Sequence, residues 1–336
     1  MQILQYFKPK SMIYTGVHKE DNTKIIHYQY DSSSYEILDS IVSTKSCKHY
    51  LQVIGLANVE KIQEICNYYA IDPLINEDIL SVNQRNKFEV KENYIFGTFS
   101  FSYLNSKKIN EDYISIVMLE NVILTFHETT PVYLEPLKIL IQDHEEVRER
   151  SIDYLFYQIL DIITDGHLEI YDILESNVNE FEELLLETKN MEQDGFYLVR
   201  KQLLKLKNNV TPVHEQLEKL LFKKHGLFNQ ENANYFEDLK DHLNRLDSRL
   251  NQCNQLTRNL LDLHMNNQST KINRIMSTLT LFSAIFIPLS FLTGVFGTNF
   301  VDFGILQYPH AVLYFVGLCI TIAVSMFLFF KSRKWF

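Results

Sequence analysis

Two uncharged runs dominate the pattern of apolar and polar positions: Ile275–Phe296, IMSTLTLFSAIFIPLSFLTGVF, and Ala311–Phe330, AVLYFVGLCITIAVSMFLFF. They hold 22 and 20 residues. At a rise of about 1.5 Å per residue, each is long enough to cross a hydrocarbon core of roughly 30 Å. Core helices of soluble proteins are rarely free of charge over such a length twice in succession, so the pattern predicts two transmembrane helices. Within the first, Met276, Leu279, Ser283, Ile287 and Ser290 recur at spacings of three and four and fall on one helical face. Small hydroxyls alternating with apolar constrictions suit the lining of a watery path that closes by dewetting. The same small residues equally suit close packing between helices. Two helices cannot enclose such a path, so transport requires several subunits around an axis. Pro288 removes one backbone donor and loosens the first span.

Upstream, the period changes. Residues 1–147 read as a mixed α/β domain. MIYTGVH and IIHYQY flank the turn-rich KEDNTK as an expected hairpin, and YIFGTFSFSYL and SIVMLENVILTFHE are rich in β-branched and aromatic residues. Between them, VEKIQEICNYYAI and PLINEDILSV carry helical spacing. Beyond residue 148 glycine nearly vanishes. An antiparallel pair of long helices is expected over 148–231, followed by a stalk helix over 232–274 that continues without a break into the first span, 275–296. With no proline before Pro288 and no glycine before Gly294, that helix would extend on the order of 95 Å. A loop over 297–310, the second span over 311–330 and a basic tail over 331–336 complete the expected organisation.

Charge divides the chain in the same way. The formal net charge is −10, yet from residue 271 onward Lys271, Arg274, Lys331, Arg333 and Lys334 face only Asp302, leaving an acidic body upstream. An acidic body repels phosphate backbones, which argues against nucleic-acid binding and makes cations the natural partners. The basic residues flank the spans, whereas the 297–310 loop has no Lys or Arg, so both termini are expected on the cytoplasmic side. Tyr308 and Trp335 are candidate interface anchors. MQILQYFKPK lacks the pattern of a cleaved leader, and the four scattered cysteines suggest buried apolar residues in a reducing compartment.

Candidate chemistry is sparse. Asp161, Asp165, Glu169 and Asp172 stand at spacings of four, four and three, a repulsive ladder that solvent or a divalent cation must offset. The HEE at residues 144–146 is not extended to HExxH, and no Walker loop or GxSxG occurs. His127 and His242 beside acids fit structural roles better than catalysis. The sequence therefore points away from an enzyme.

Two blocks carry a resemblance. INRIMSTLTLFSAIFIPLSFLTGVFGTNF, followed by a short loop and a span ending in KSRKWF, resembles the CorA family of divalent-metal channels, the two-transmembrane GxN family. IDPLINEDILSVNQRNKFEVKENYIF is similar to the same family's soluble-domain block, and the resemblance covers nearly the whole chain in the expected order. It implies a CorA-like funnel: an α/β cytoplasmic domain, a long helical stalk and two C-terminal spans, assembled as a homopentamer in the lipid of the cell membrane.

The resemblance also implies roles for residues. Gly297, Thr298 and Asn299 match the extracytosolic signature, usually Gly-Met-Asn, in which the asparagine carboxamides ring the outer mouth. A neutral ring can recognise hydrated Mg²⁺ through its water shell without stripping it. Asn273 matches a polar ring at the cytoplasmic entrance, Met276 and Leu279 an apolar gate, and Ile287 a further constriction. Asp78 and Asp238 match the acids that share a regulatory cation between neighbouring subunits, with Glu77, Asp161 and Asp241 at secondary acidic positions. Two departures stand out: Thr298 replaces Met, and the loop keeps Asp302 as its one acid.

The expected activity is membrane-potential-driven Mg²⁺ uptake, extending to Co²⁺ or Ni²⁺ and shut by cytoplasmic Mg²⁺. Two alternatives remain open: a Zn²⁺ transporter of the ZntB-like branch, and a membrane module that binds Mg²⁺ without conducting.

Overall fold

The computed structural model describes residues 12–18, 22–42, 46–82, 84–105, 108–187, 193–222, 226–298, 304 and 309–333. The chain divides into two units, Met1–Arg258 and Asn259–Phe336.

The first unit is built on one mixed sheet. Its described strands are β1 (Lys24–Tyr30), β2 (Tyr35–Leu38), β3 (Lys48–Ile54), β4 (Lys87–Val90), β5 (Ile95–Asn105), β6 (Lys108–Met118) and β7 (Val122–His127), in the order β2-β1-β3-β7-β6-β5-β4. Only β3 and β7 run parallel; every other pairing is antiparallel. These two central strands are buried along almost their whole length, which explains why VILTFH and YLQVI read as continuous runs rather than alternating ones. Leu51, Val53, Leu124 and Phe126 enter one core with Ile62 and Ile65 of α1 (Val59–Tyr68) and Ile75 and Ile79 of α2 (Pro73–Leu80). The opposite face is covered by α5 (Ile152–Leu186), against β5, β6 and β7. Short helices α3 (Glu135–Asp143) and α4 (Glu145–Glu149) precede it.

The expected hairpin between residues 12–18 and β1 does not form. Residues 12–18 carry no strand; instead the Thr15 amide donates to the Leu80 carbonyl at 3.1 Å and the Val82 amide donates to Thr15 Oγ1 at 3.0 Å. β1 turns the other way, into β2, because Asp31 Oδ1 accepts from the amides and hydroxyls of both Ser33 and Ser34. A carboxylate taking four donors closes this turn firmly.

Three long helices follow: α5, α6 (Gln193–Phe222) and α7 (Ala233–Phe296). α5 packs on α6. In the first unit α7 buries Phe236, Leu239, Leu243, Leu246, Leu250 and Cys253, an alternation of three and four that makes one apolar seam. Arg249 fastens the seam to α5. Its Nη2 lies 3.1 Å from Asp172 and 2.8 Å from Glu175, and its guanidinium stacks 4.4 Å from the Tyr171 ring centroid.

The second unit holds the remainder of α7 and α8 (Ala311–Ser332). Both α7 and α8 contain a stretch long and apolar enough to cross a membrane. Their large apolar side chains are mostly uncovered: Ile275, Phe282, Phe286, Phe291, Val312 and Leu313 are all more than half exposed. An apolar surface of this extent needs lipid or protein against it.

Candidate functional site

Three places carry the residues with predicted roles. The first is the membrane part of α7. At 100° per residue, Met276, Leu279, Ser283, Ile287 and Ser290 fall within an arc of about 80°. Leu281, the buried residue of Ile275–Phe296 among those described, points roughly 160° from the middle of that arc. The stripe is thus turned away from the side the chain itself covers, and Met276, Leu279 and Ile287 are each more than half exposed. Asn273, one turn toward the N-terminus, is exposed as well. The Thr278 and Thr280 hydroxyls donate to the carbonyls four residues earlier, at 2.9 and 2.8 Å, so these groups are satisfied inside the helix.

The second place is the end of α7. The Gly297 amide donates to the Thr293 carbonyl at 2.9 Å, and a Cβ on Gly297 would stand only 3.0 Å from that oxygen. Thr298 turns its hydroxyl back: Oγ1 donates to the Val295 carbonyl at 2.6 Å, while its amide reaches the same oxygen at 3.3 Å. One of the orphan carbonyls of a helix C-terminus is satisfied in this way. Asn299, Asp302, Tyr308, Lys334 and Trp335 lie outside the described residues.

The acids of the first unit make the third place. Proline at N1 and the Asp72 cap, which accepts from the Leu74 amide at 2.8 Å, start α2; Glu77 and Asp78 stand in its last turn, half-buried. The backbone carbonyl of Asp78 accepts from Tyr113 Oη at 2.9 Å and from Gln84 Nε2 at 2.5 Å, which fixes that turn against the sheet. Its carboxylate takes Lys87 at 2.7 Å. Lys87 also reaches Glu89, at 2.8 Å. Burial pulls the lysine downward, but its hydrogen bonds to Asp78 and Glu89 outweigh this and hold the ammonium above its ordinary range.

On the α5–α7 seam, Asp161, Asp165, Asp238 and His242 come together. Burial raises Asp161, the neighbouring Asp165 charge raises it further, and Asp238 adds to this; the Tyr157 hydrogen bond and His242 work the other way. Burial likewise raises Asp165, with His242 opposing. His242 Nε2 lies 3.7 Å from Asp238 Oδ2. Asp241 is exposed on the same helix. Of the α5 ladder, Asp172 is taken by Arg249, and Glu169 lines a cleft with Asp165, Tyr103 and Tyr133. Among the described residues of one chain, no group of three or more His, Cys, Asp or Glu side chains could hold a metal ion. Asp78 and Asp238 are therefore not joined into a binding site within the chain; the partner each acid has here is Lys87 and His242 respectively. Sequence reasoning missed Lys87, and placed His242 beside acids in a structural role without pairing it with Asp238. His242 had a signal, four residues after Asp238 on one helical face; Lys87 had none beyond the charge alternation of KFEVK.

The model of the family described as "CorA-like Mg2+ transporter protein" matches residues 54–333, from the last residue of β3 through the second apolar helix. The chain belongs to this family. The cobalt/magnesium transport protein CorA of Thermotoga maritima is 26% identical over 337 residues, covering 97% of this chain and 96% of that protein. The zinc transport protein ZntB of Photorhabdus laumondii is 27% identical over 55% of this chain and 57% of its own length. The complete structure of the CorA magnesium transporter from Methanocaldococcus jannaschii superposes with a TM-score of 0.78 at 21% identity, covering 93% of this chain and 99% of that one. CorA-family proteins are membrane transporters, and the α/β domain, the long helix and two apolar C-terminal helices are the family fold.

Proposed function

We propose that this chain assembles as a homopentamer and conducts Mg²⁺, with Co²⁺ or Ni²⁺ as further substrates, into the cytoplasm, where both its termini lie. The observation that carries this reading is the stripe Met276, Leu279, Ser283, Ile287, Ser290, turned opposite to the covered Leu281 and left unpartnered in the single chain. Five such faces around an axis would line a path whose apolar rings close by dewetting. Ser283 and Ser290 offer hydroxyls to a hydrated ion, suiting a metal that sheds its water reluctantly. Gly297, Thr298 and Asn299 would form the outer mouth. At 100 mV each charge moved inward gains about 2.3 kcal/mol, so a divalent ion needs no second energy source.

The acids supply the regulatory part. Asp78 of one subunit and Asp238 of the next would share a cytoplasmic divalent ion, with Glu77, Asp161 and Asp241 around it. Hard carboxylate oxygens are the donor set Mg²⁺ takes, and the burial and neighbouring acids that raise Asp161 are offset by a bound cation. Binding stabilises the symmetric assembly, which is the closed state of this reading.

A second reading, zinc transport, draws support from the ZntB relatives. It lacks soft ligands: Ile275–Phe296 contains neither His nor Cys. Flux of Mg²⁺, Co²⁺, Ni²⁺ and Zn²⁺ into liposomes holding the purified protein, under an imposed inside-negative potential, tests both. Mg²⁺ uptake that Met276→Asp relieves of inhibition supports the channel; absence of Mg²⁺ flux rejects it, and Zn²⁺ flux in its place favours the second reading.

A further inference from the structure

The Lys87 ammonium sits between two carboxylates, 2.7 Å from Asp78 Oδ2 and 2.8 Å from Glu89 Oε1. All three side chains are partly withdrawn from solvent, with about a quarter to a third of each exposed. A cation is therefore already present where a carboxylate pair would otherwise attract one. Glu89 is itself contacted by Lys91, at 3.4 Å. The arrangement spans the turn from α2 into β4 and is separate from the α5–α7 seam that holds Asp161, Asp238 and His242.

We infer that Lys87 is a tethered counter-ion that competes with cytoplasmic Mg²⁺ for Asp78, and that Glu89 sets the strength of this competition by drawing the ammonium away. This rests on the reading of Asp78 as a regulatory ligand. Mg²⁺ binding is then an exchange: Asp78 releases Lys87 to Glu89 as the metal arrives. The concentration at which the metal acts follows from that exchange as well as from the ligands. A partly exposed ion pair shifts the exchange by about two- to fivefold.

The two neighbours of Asp78 must therefore act in opposite directions. Removing the ammonium frees Asp78 and Glu89 for the metal, so Lys87→Met lowers the Mg²⁺ midpoint by about two- to fivefold. Glu89→Gln leaves the ammonium to Asp78 alone and raises the midpoint. Lys87→Arg, which restores the positive charge, returns it toward the native value. A purely structural role for the turn would move Lys87→Met and Glu89→Gln the same way.

The experiment is a Mg²⁺ titration of the full-length protein in detergent, read as the rise in thermal unfolding midpoint by circular dichroism at fixed ionic strength. Asp78→Asn is the reference. Opposite shifts for Lys87→Met and Glu89→Gln, with the response lost in Asp78→Asn, support the inference. Loss of the response in Asp78→Asn with no shift, or shifts of the same sign, in the other two overturns the inference and leaves the regulatory reading of Asp78 standing. A native response in Asp78→Asn removes that reading and the inference together. If Lys87→Met aggregates, Lys87→Gln takes its place: a lowered Mg²⁺ midpoint supports the inference, and an unchanged or raised one overturns it.

Discussion

Asp153 offers a direct test of what roots α7 in the first unit. The side chain is fully buried in the first turn of α5. Oδ1 accepts from Ser151 Oγ at 2.6 Å and from Asn232 Nδ2 at 2.9 Å, and Oδ2 accepts from the Asn229 amide at 2.9 Å. Asn232, also buried, precedes α7 directly; its Oδ1 accepts from Arg150 at 3.3 Å, and that guanidinium stacks 4.9 Å from both the Tyr154 and Tyr235 rings. One carboxylate thus holds the entry to α7 against the start of α5. A hydrogen bond to a charged acceptor contributes about 1.5–3 kcal/mol, and the three here share one network, so their loss does not sum. Asp153→Ala leaves the Asn229 amide and the Ser151 hydroxyl without this acceptor and Asn232 Nδ2 with Ser151 Oγ at 3.0 Å in its place, and we expect a loss of about 3–5 kcal/mol. In a unit of this size that lowers the thermal midpoint by roughly 10 °C. Asp153→Asn keeps one oxygen but sets an NH₂ group among the donors, and should fall between. The measurement is thermal unfolding of the full-length protein in detergent, followed by near-ultraviolet circular dichroism. An Asp153→Ala midpoint within about 3 °C of native would refute the reasoning, as would a full additive loss on adding Asn232→Ala.

Three further outcomes follow from the same geometry. Burial holds His127 down at about 3 and His167 at about 4, below the ordinary 6.5, so both are neutral in the folded chain. Their contribution is complete above pH 6.5 and is lost as pH falls toward the folded values, about 2 kcal/mol each by pH 5. Asp112, which burial pushes up to about 6, works in the opposite sense, so the comparison to make is the difference in pH slope between native protein and His167→Asn. An unchanged slope would exclude His167 as a source. Thr298→Val removes the hydroxyl bond to Val295 while keeping the shape; it should cost about 1 kcal/mol of local stability and leave the order of Mg²⁺, Co²⁺ and Ni²⁺ fluxes as it was. A changed order would mean that the hydroxyl meets the ion. Arg249→Lys loses the stacking on Tyr171 and the reach of Nη2 to Asp172 and Glu175, and because these groups are substantially exposed the expected destabilisation is only about 1 kcal/mol, read from unfolding midpoints.

The parts of this fold that could be read from sequence are those in which one periodicity continues without competition. α7 is legible because no glycine or proline interrupts it before the membrane segment and because its apolar residues alternate by three and four. SIVMLENVILTFHE is legible as strand from its β-branched and aromatic residues, although the structure divides it between β6, ending at Met118, and β7, starting at Val122. The N-terminal region misleads because residues 12–18 carry no strand, and β1 pairs with β2 through Asp31–Ser34, where one carboxylate gathers four donors. Composition counts turn formers; it does not count the donors a particular oxygen collects.

The same difference separates the two halves of the candidate site. The stripe on α7 follows from residue spacing, because a helix converts spacing into direction whatever lies around it. The acids do not behave so. Asp78 and Asp172 look alike in sequence, each an acid on an amphipathic helix, yet one meets Lys87 across a turn and the other meets Arg249 from a helix some 77 residues away. Charge compensation is a tertiary property, and a carboxylate already matched by a fixed cation differs from one crowded by Asp165 and Asp238 in what it asks of a metal. On that ground the two acids of the proposed shared site act differently: at Asp161 a bound ion offsets burial and crowding, whereas at Asp78 it must displace Lys87. If the metal response of the protein showed no dependence on Asp161, with Asp161→Asn titrating like the native chain, burial and crowding there would not be a source of affinity and the carboxylates of Asp78 and Asp238 would have to supply it against the competition of Lys87.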